Sequence, residues 1–99
     1  MIKHIVLWRT KSQEKNTRKL GMQRIKEALE GLVGKVPSLA SIEVGFNQNT
    51  LPAAYDISLI STHNSWDDLK AYQEHPAHKE AAALIGSLTI DKAVSDYEF

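Results

Sequence analysis

From Ile2 to Arg9 the apolar side chains fall on both parities, with Ile2, His4, Val6 and Trp8 on one and Ile5 and Leu7 on the other. Neighbouring side chains of a strand point to opposite faces, so a run that is apolar on both predicts a strand covered on both sides. From Gln13 to Val33 the period changes, and Met22, Ile25, Ala28, Leu29 and Leu32 recur at helical spacing among charged residues. This predicts an amphipathic helix with one buried stripe, Ser12 as its N-cap, and a stop at Gly34 followed by Pro37. Leu39 to Asn47 alternates, with Ile42, Val44 and Phe46 against Ser41, Glu43 and Gly45, and predicts a second strand. A polar turn region containing Asn49 and Pro52 leads to a third strand over Tyr55 to Thr62, in which Tyr55, Ile57 and Leu59 oppose Asp56, Ser58 and Ile60.

Ser65 followed by Asp68 resembles a capping box, and it opens a helix carrying Trp66, Leu69 and Tyr72. Proline starts a helix well but cannot continue one, and it drives the preceding residue out of the α region. The helix is therefore expected to end near Tyr72 and break at His75, with a short second piece over Pro76 to Ile85 ended by Gly86. Lys92 to Phe99 closes the chain as a fourth strand. The order β-α-β-β-α-β predicts a single α+β domain over residues 1–99, a ferredoxin-like sandwich with both helices on one face of an antiparallel four-stranded sheet. The strands carry apolar side chains on both parities and no helix is left for the second face, so the expected cover is the same sheet of a second copy. In that homodimer two sheets close a barrel-like core, and Trp8 is read as a residue of the exposed face.

A chain of 99 residues buries roughly two-thirds of its unfolded surface, which leaves a modest core that dimerisation would supplement. Twelve basic residues balance twelve acidic ones, so there is no electrostatic reason to expect nucleic acid or an anionic membrane as partner. The basic cluster from Lys11 to Lys26 is diluted by Glu14, Glu27 and Glu30 and reads as a solvated helix face. The lack of cysteine excludes disulfides, a thiolate nucleophile and cysteine-type zinc sites, and it suits a reducing cytoplasm. The run Ile5-Val6-Leu7-Trp8 is too short for a signal-peptide core, and nothing approaches the ~20 apolar residues of a membrane span. A soluble, unprocessed, cytoplasmic protein is expected.

Candidate chemistry gathers in Ala71-Tyr72-Gln73-Glu74-His75-Pro76-Ala77-His78, where a phenol and two imidazoles flank a helix break. Tyr and His exchange protons and hydrogen bonds near neutral pH. With a cavity beside them, His78 would remove a carbon-bound proton while Tyr72 donates to the developing enolate oxygen. In the alternative, the two bond each other or nearby carbonyls and simply fix the break. His75, immediately before Pro76, suits a cap on the following helix. His4 reads as a core or pocket-wall residue, and His63, at a strand end, as solvated. His75 and His78 have metal-ligand spacing only on a continuous helix, which Pro76 breaks, and no carboxylate stands beside them, so neither a metal nor a cofactor is expected.

Lys3-His4-Ile5-Val6-Leu7, Glu43-Val44-Gly45, Tyr72-x-x-His75-Pro76-Ala77-His78 and Val94-Ser95-Asp96-Tyr97 together resemble the stress-responsive α/β barrel (Dabb) family over essentially the whole chain. The Tyr-x-x-His-Pro-x-His segment is the specific part. The resemblance implies a homodimeric α/β barrel with a pocket for a small, partly apolar molecule. Many members have no assigned reaction, while a plant polyketide cyclase of the family performs a cofactor-free intramolecular aldol closure. Its catalytic tyrosine and histidine match Tyr72 and His78, and its first-strand histidine matches His4. A further pocket histidine of that cyclase falls on Ile57, and Trp8, His75 and Trp66 complete the expected ligand-binding set. Trp66 with His78 also resembles the pocket of related dimeric monooxygenases, although the bland reading makes Trp66 core filler. A non-catalytic dimeric stress or structural protein is the other alternative.

Overall fold

The computed structural model describes residues 1–99. Its elements are β1 (Ile2–Thr10), α1 (Lys15–Glu30), β2 (Ser41–Phe46), β3 (Ile57–His63), α2 (Trp66–Glu74), α3 (Pro76–Leu88) and β4 (Thr89–Glu98). The sheet order is β2-β3-β1-β4 and every neighbouring pair is antiparallel. Each β-α-β unit is thus split by a strand of the other, which makes the fold an α+β ferredoxin-like domain. The molecule is 17 Å deep along its shortest axis, the depth of one sheet and one layer of helices.

Parity decides which side chains meet the helices. Ile2, His4, Val6, Trp8 and Thr10 of β1 are buried, and so are Ile57, Leu59, Ser61 and His63 of β3, whereas the residues between them are only partly covered. Met22, Ile25 and Leu29 of α1, Leu69 and Tyr72 of α2, and Ala81 and Ile85 of α3 complete this core. Trp8 therefore lies under the helices, 7% exposed, and not on the open face where the sequence reading put it. The opposite face carries Ile5 paired with Ile60, Leu7 paired with Ser58 and Ala93, and Lys3 paired with Tyr97. No helix of this chain lies on that side.

Local boundaries differ from expectation for identifiable reasons. Glu14, not Ser12, caps α1, and its carboxylate accepts from the backbone N–H groups of Asn16 (3.0 Å) and Thr17 (2.7 Å). A carboxylate at the positive end of the helix outcompetes a hydroxyl, and Ser12 accepts instead from the N–H of Glu14. The hydrogen bonds from the Thr17 hydroxyl and backbone, and from the Asn16 backbone, hold the Glu14 carboxyl below its usual range. Helix α3 runs through Gly86 to Leu88, because burial of Ile85 on the same face outweighs the roughly 1 kcal/mol that a mid-helix glycine costs. Strand β3 begins at Ile57, since the Asp56 carboxylate accepts from both the backbone and the hydroxyl of Thr10 and closes the sheet there. No helix is long and apolar enough to cross a membrane.

Two glycine-to-alanine changes should act in opposite directions. Gly21 is inside α1 with no atom within 4 Å of a built Cβ, while Gly34 has a φ of +85° that alanine resists. Thermal melts should show Gly21→Ala raising stability by about 0.5–1 kcal/mol and Gly34→Ala lowering it by about 1 kcal/mol.

Candidate functional site

The helix break is built by adjacent residues. His75 is held extended at φ −65° and ψ 136°, as a residue before proline must be. Its ring Nδ1 accepts from the N–H of Ala77 at 3.0 Å, so it caps α3 while Pro76 supplies the first helical position. Tyr72 from the last turn of α2 and His78 from the first turn of α3 consequently meet, with ring centroids 4.5 Å apart and planes at 59°. His63, at the end of β3, lies 4.8 Å from the Tyr72 ring, and His4 of β1 is 6.4 Å from both Tyr72 and His63. Three imidazoles and a phenol thus form one buried cluster beneath the kink.

Each member has a different polar environment. His4 Nδ1 is hydrogen-bonded to the carboxylate of Asp96, the residue directly opposite it in the β1/β4 register. A carboxylate only accepts, so His4 Nδ1 carries a proton and donates it in this hydrogen bond. His63 uses both nitrogens: Nδ1–H donates to the Ser38 carbonyl at 2.9 Å, and Nε2 accepts from the Ser61 hydroxyl at 3.0 Å. By contrast, the Tyr72 hydroxyl and His78 Nδ1 are buried without any hydrogen-bond partner. They neither bond each other nor bond a carbonyl, which removes the contact that the purely structural alternative relied on.

Burial sets the protonation states. It pushes the Tyr72 phenol up to about 12, so the group donates a hydrogen bond and does not act as a base at neutral pH. Burial likewise lowers the His78 imidazole, and the nearby His4, Lys92 and His63 lower it further. The backbone of Gln73, second in size to burial, opposes it. His63 is lowered mainly by its burial, against the bond to Ser38. His78 is therefore neutral near pH 7, as a general base must be.

A cavity of about 500 Å³ lies between α3 and the β1/β4 pair, within the range of small-molecule sites. Val6, Trp8, Leu59 and Val94 form its sheet wall, and Ala81 and Ile85 its helix wall. His4 and His78 stand at one end, and the start of β4, with Lys92, lines the other. That second end is open, since Ile90 is 63% exposed. No three His, Cys, Asp or Glu side chains are grouped to hold a metal ion, and the cavity wall offers mostly aliphatic contact for an organic molecule.

Of the residues singled out from sequence, His4, His78 and Trp8 line this cavity, and Tyr72 stands fully buried behind its wall against His78. The others are elsewhere. His75 is the cap of α3, and Ile57 is core, paired with Trp8 and Phe46 across the sheet. Trp66 is 47% exposed and donates its Nε1–H to Glu98 at 2.8 Å, so it is neither core filler nor a neighbour of His78 in a pocket. His63, expected to be solvated, is fully buried; extending the alternation of Ile57 and Leu59 by two steps would have placed it on the helix face. Asp96 escaped notice as the partner of His4 because only the pairing of the first and last strands joins them.

Comparison with known proteins agrees with this architecture. The chain is 32% identical over 99 residues to an uncharacterized protein, SCO4036, of Streptomyces coelicolor, covering 100% of both. It superposes with a TM-score of 0.88 on a dimeric ferredoxin-like protein of unknown function from Bacteroides fragilis, at 35% identity over 99% of this chain and 95% of that one. A hydroxynitrile lyase from Passiflora edulis shares the fold at a TM-score of 0.82 and 20% identity, over 97% of this chain and 90% of the lyase. The model of the stress responsive A/B barrel domain, Dabb, matches residues 2–99, and with the split β-α-β sheet and the His-Pro helix break already described, the chain belongs to the Dabb family.

Proposed function

We propose that this protein is a homodimeric barrel that binds a small, partly apolar molecule beside α3 and performs cofactor-free acid/base chemistry on it. His78 acts as the base, Tyr72 as hydrogen-bond donor to the oxygen that gains charge, and His4, oriented by Asp96, as a second polar contact. The observation that carries this reading is the pair of buried polar atoms without partners, Tyr72 Oη and His78 Nδ1. Leaving such a group unsatisfied costs about 1–3 kcal/mol, a cost explained if a ligand supplies the missing partners. Neutral His78 takes a proton from carbon, and the un-ionised Tyr72 stabilises the resulting enolate oxygen. Such a step serves an aldol closure, an isomerase, or a lyase that begins by removing an acidic carbon-bound proton. The lack of cysteine suits a cytoplasmic setting.

Dimerisation through the open sheet face is supported by the partly covered Ile5, Leu7 and Ile60 and by the dimeric neighbour from Bacteroides fragilis. Light scattering coupled to size exclusion should give twice the 11.1 kDa chain mass, and Ile60→Lys, which buries a charge between the sheets, should yield the single-chain mass.

Enolisable carbonyl compounds, incubated in D₂O and followed by NMR, should exchange their α-protons faster with the protein than without it. His78→Ala should slow that exchange by about 10²-fold or more. Tyr72→Phe should slow it by a similar factor while leaving the melting temperature equal to or above that of the wild type, because the lost hydroxyl bonds nothing. If both variants melted lower and no compound exchanged, the two residues would be structural and the proposed chemistry would be wrong.

The lowered His63 and His78 also set a pH dependence. The unfolded chain binds protons near the ordinary histidine value of ~6.5, before the folded protein does. Stability should be level above pH 7 and fall as pH drops below ~6.5 toward the lowered native values. Thermal melts between pH 7.5 and 5 should show this slope, and His78→Asn should reduce it.

A further inference from the structure

The charges around the cavity do not cancel evenly. Asp91 is engaged by Arg9, with Nε to Oδ2 at 3.7 Å, and Asp96 by His4. Lys92 lines the cavity but forms no ion pair and no hydrogen bond. In the β1/β4 register Lys92 lies opposite Trp8, and Asp96 lies opposite His4. The two positions are four residues apart along the strand, about 13 Å along the sheet. Between them the wall is Val6 and Val94, with Ala81 and Ile85 facing from α3. The cavity is thus an apolar slot with imidazoles at the closed end and one free ammonium at the open end.

Resting on the cavity reading above, we infer that this slot selects anionic ligands: a carboxylate pairs with Lys92 at the mouth, the apolar body lies over Trp8, Val6 and Val94, and the far end reaches His78. An ion pair at a partly exposed mouth contributes modestly to affinity but fixes direction. It orients the ligand so that the uncharged end enters first, toward His4 and His78, behind which Tyr72 lies. Lys92 acts here as a specificity residue and takes no part in the proton transfer. Its cation also disfavours protonation of His78, so an anion bound at Lys92 offsets that effect as the ligand seats.

The test uses three probes of one shape and different charge: 3-phenylpropanoate, 3-phenylpropanamide and 3-phenylpropylamine. Binding to the full-length protein is followed through the histidine ring signals, with His4 and His78 reporting occupation of the closed end. At 50 mM salt the acid should bind about fivefold more tightly than the amide, the advantage should shrink at 500 mM salt, and Lys92→Gln should abolish it. Lys92→Glu should invert the order, favouring the amine. Equal binding of acid and amide, or an acid preference unchanged in Lys92→Gln, would overturn the inference while leaving the cavity reading intact. If none of the three moved the His4 or His78 signals, the cavity reading would fall and the inference with it.

Discussion

Two residues on one continuous helix six positions apart point about 120° away from each other around its axis and are about 9 Å apart along it, so Tyr72 and His78 could not touch if α2 and α3 were one rod. The Pro76 ring removes a donor and clashes with the preceding turn, and His75 takes an extended conformation and caps the new helix with its own side chain. This local constraint redirects the chain enough to bring the phenol and the imidazole into contact, with ring centroids 4.5 Å apart and planes inclined at 59°. The other features of the site depend on it. Without the break, α3 would not run along the β1/β4 pair and form the helix wall of the cavity.

The cluster beneath the break is uneven in a chemically informative way. His63 has both nitrogens satisfied and anchors Tyr72 to the sheet and to the Ser38 backbone. His4 is oriented by Asp96. Tyr72 Oη and His78 Nδ1 have no partner although they are buried. A structure selected for stability alone would satisfy such groups or replace them with apolar ones. Two histidines held by hydrogen bonds to Asp96, Ser38 and Ser61 thus surround two buried groups without partners.

The sheet serves different purposes on its two faces. The helix side supplies the core and the cavity floor through one parity of β1, β3 and β4. The other side exposes a thin apolar stripe around Ile5, Leu7 and Ile60, and a 17 Å deep molecule has no further layer to place over it. Pairing with a second copy would bury that stripe and leave the cavity, on the opposite face, open to solvent at Lys92. The cavity and the face available for assembly are therefore separate surfaces.

The periodicities of the sequence determined the element order and the ferredoxin-like topology, because alternation and helical spacing report burial directly. The His-Pro break was equally legible, since proline acts on its own backbone and on the residue before it. Tertiary structure alone decided which parity faced the helices: Trp8 turned inward and His63 became fully buried, because a strand apolar on both sides gives no preference until its neighbours are placed. It also decided that Asp96 orients His4, that Ile57 and Trp66 stay outside the cavity, and that Lys92 has no partner. The places of Asp96 and Lys92 depend on β1 pairing with β4, a contact between the two ends of the chain that no local pattern encodes.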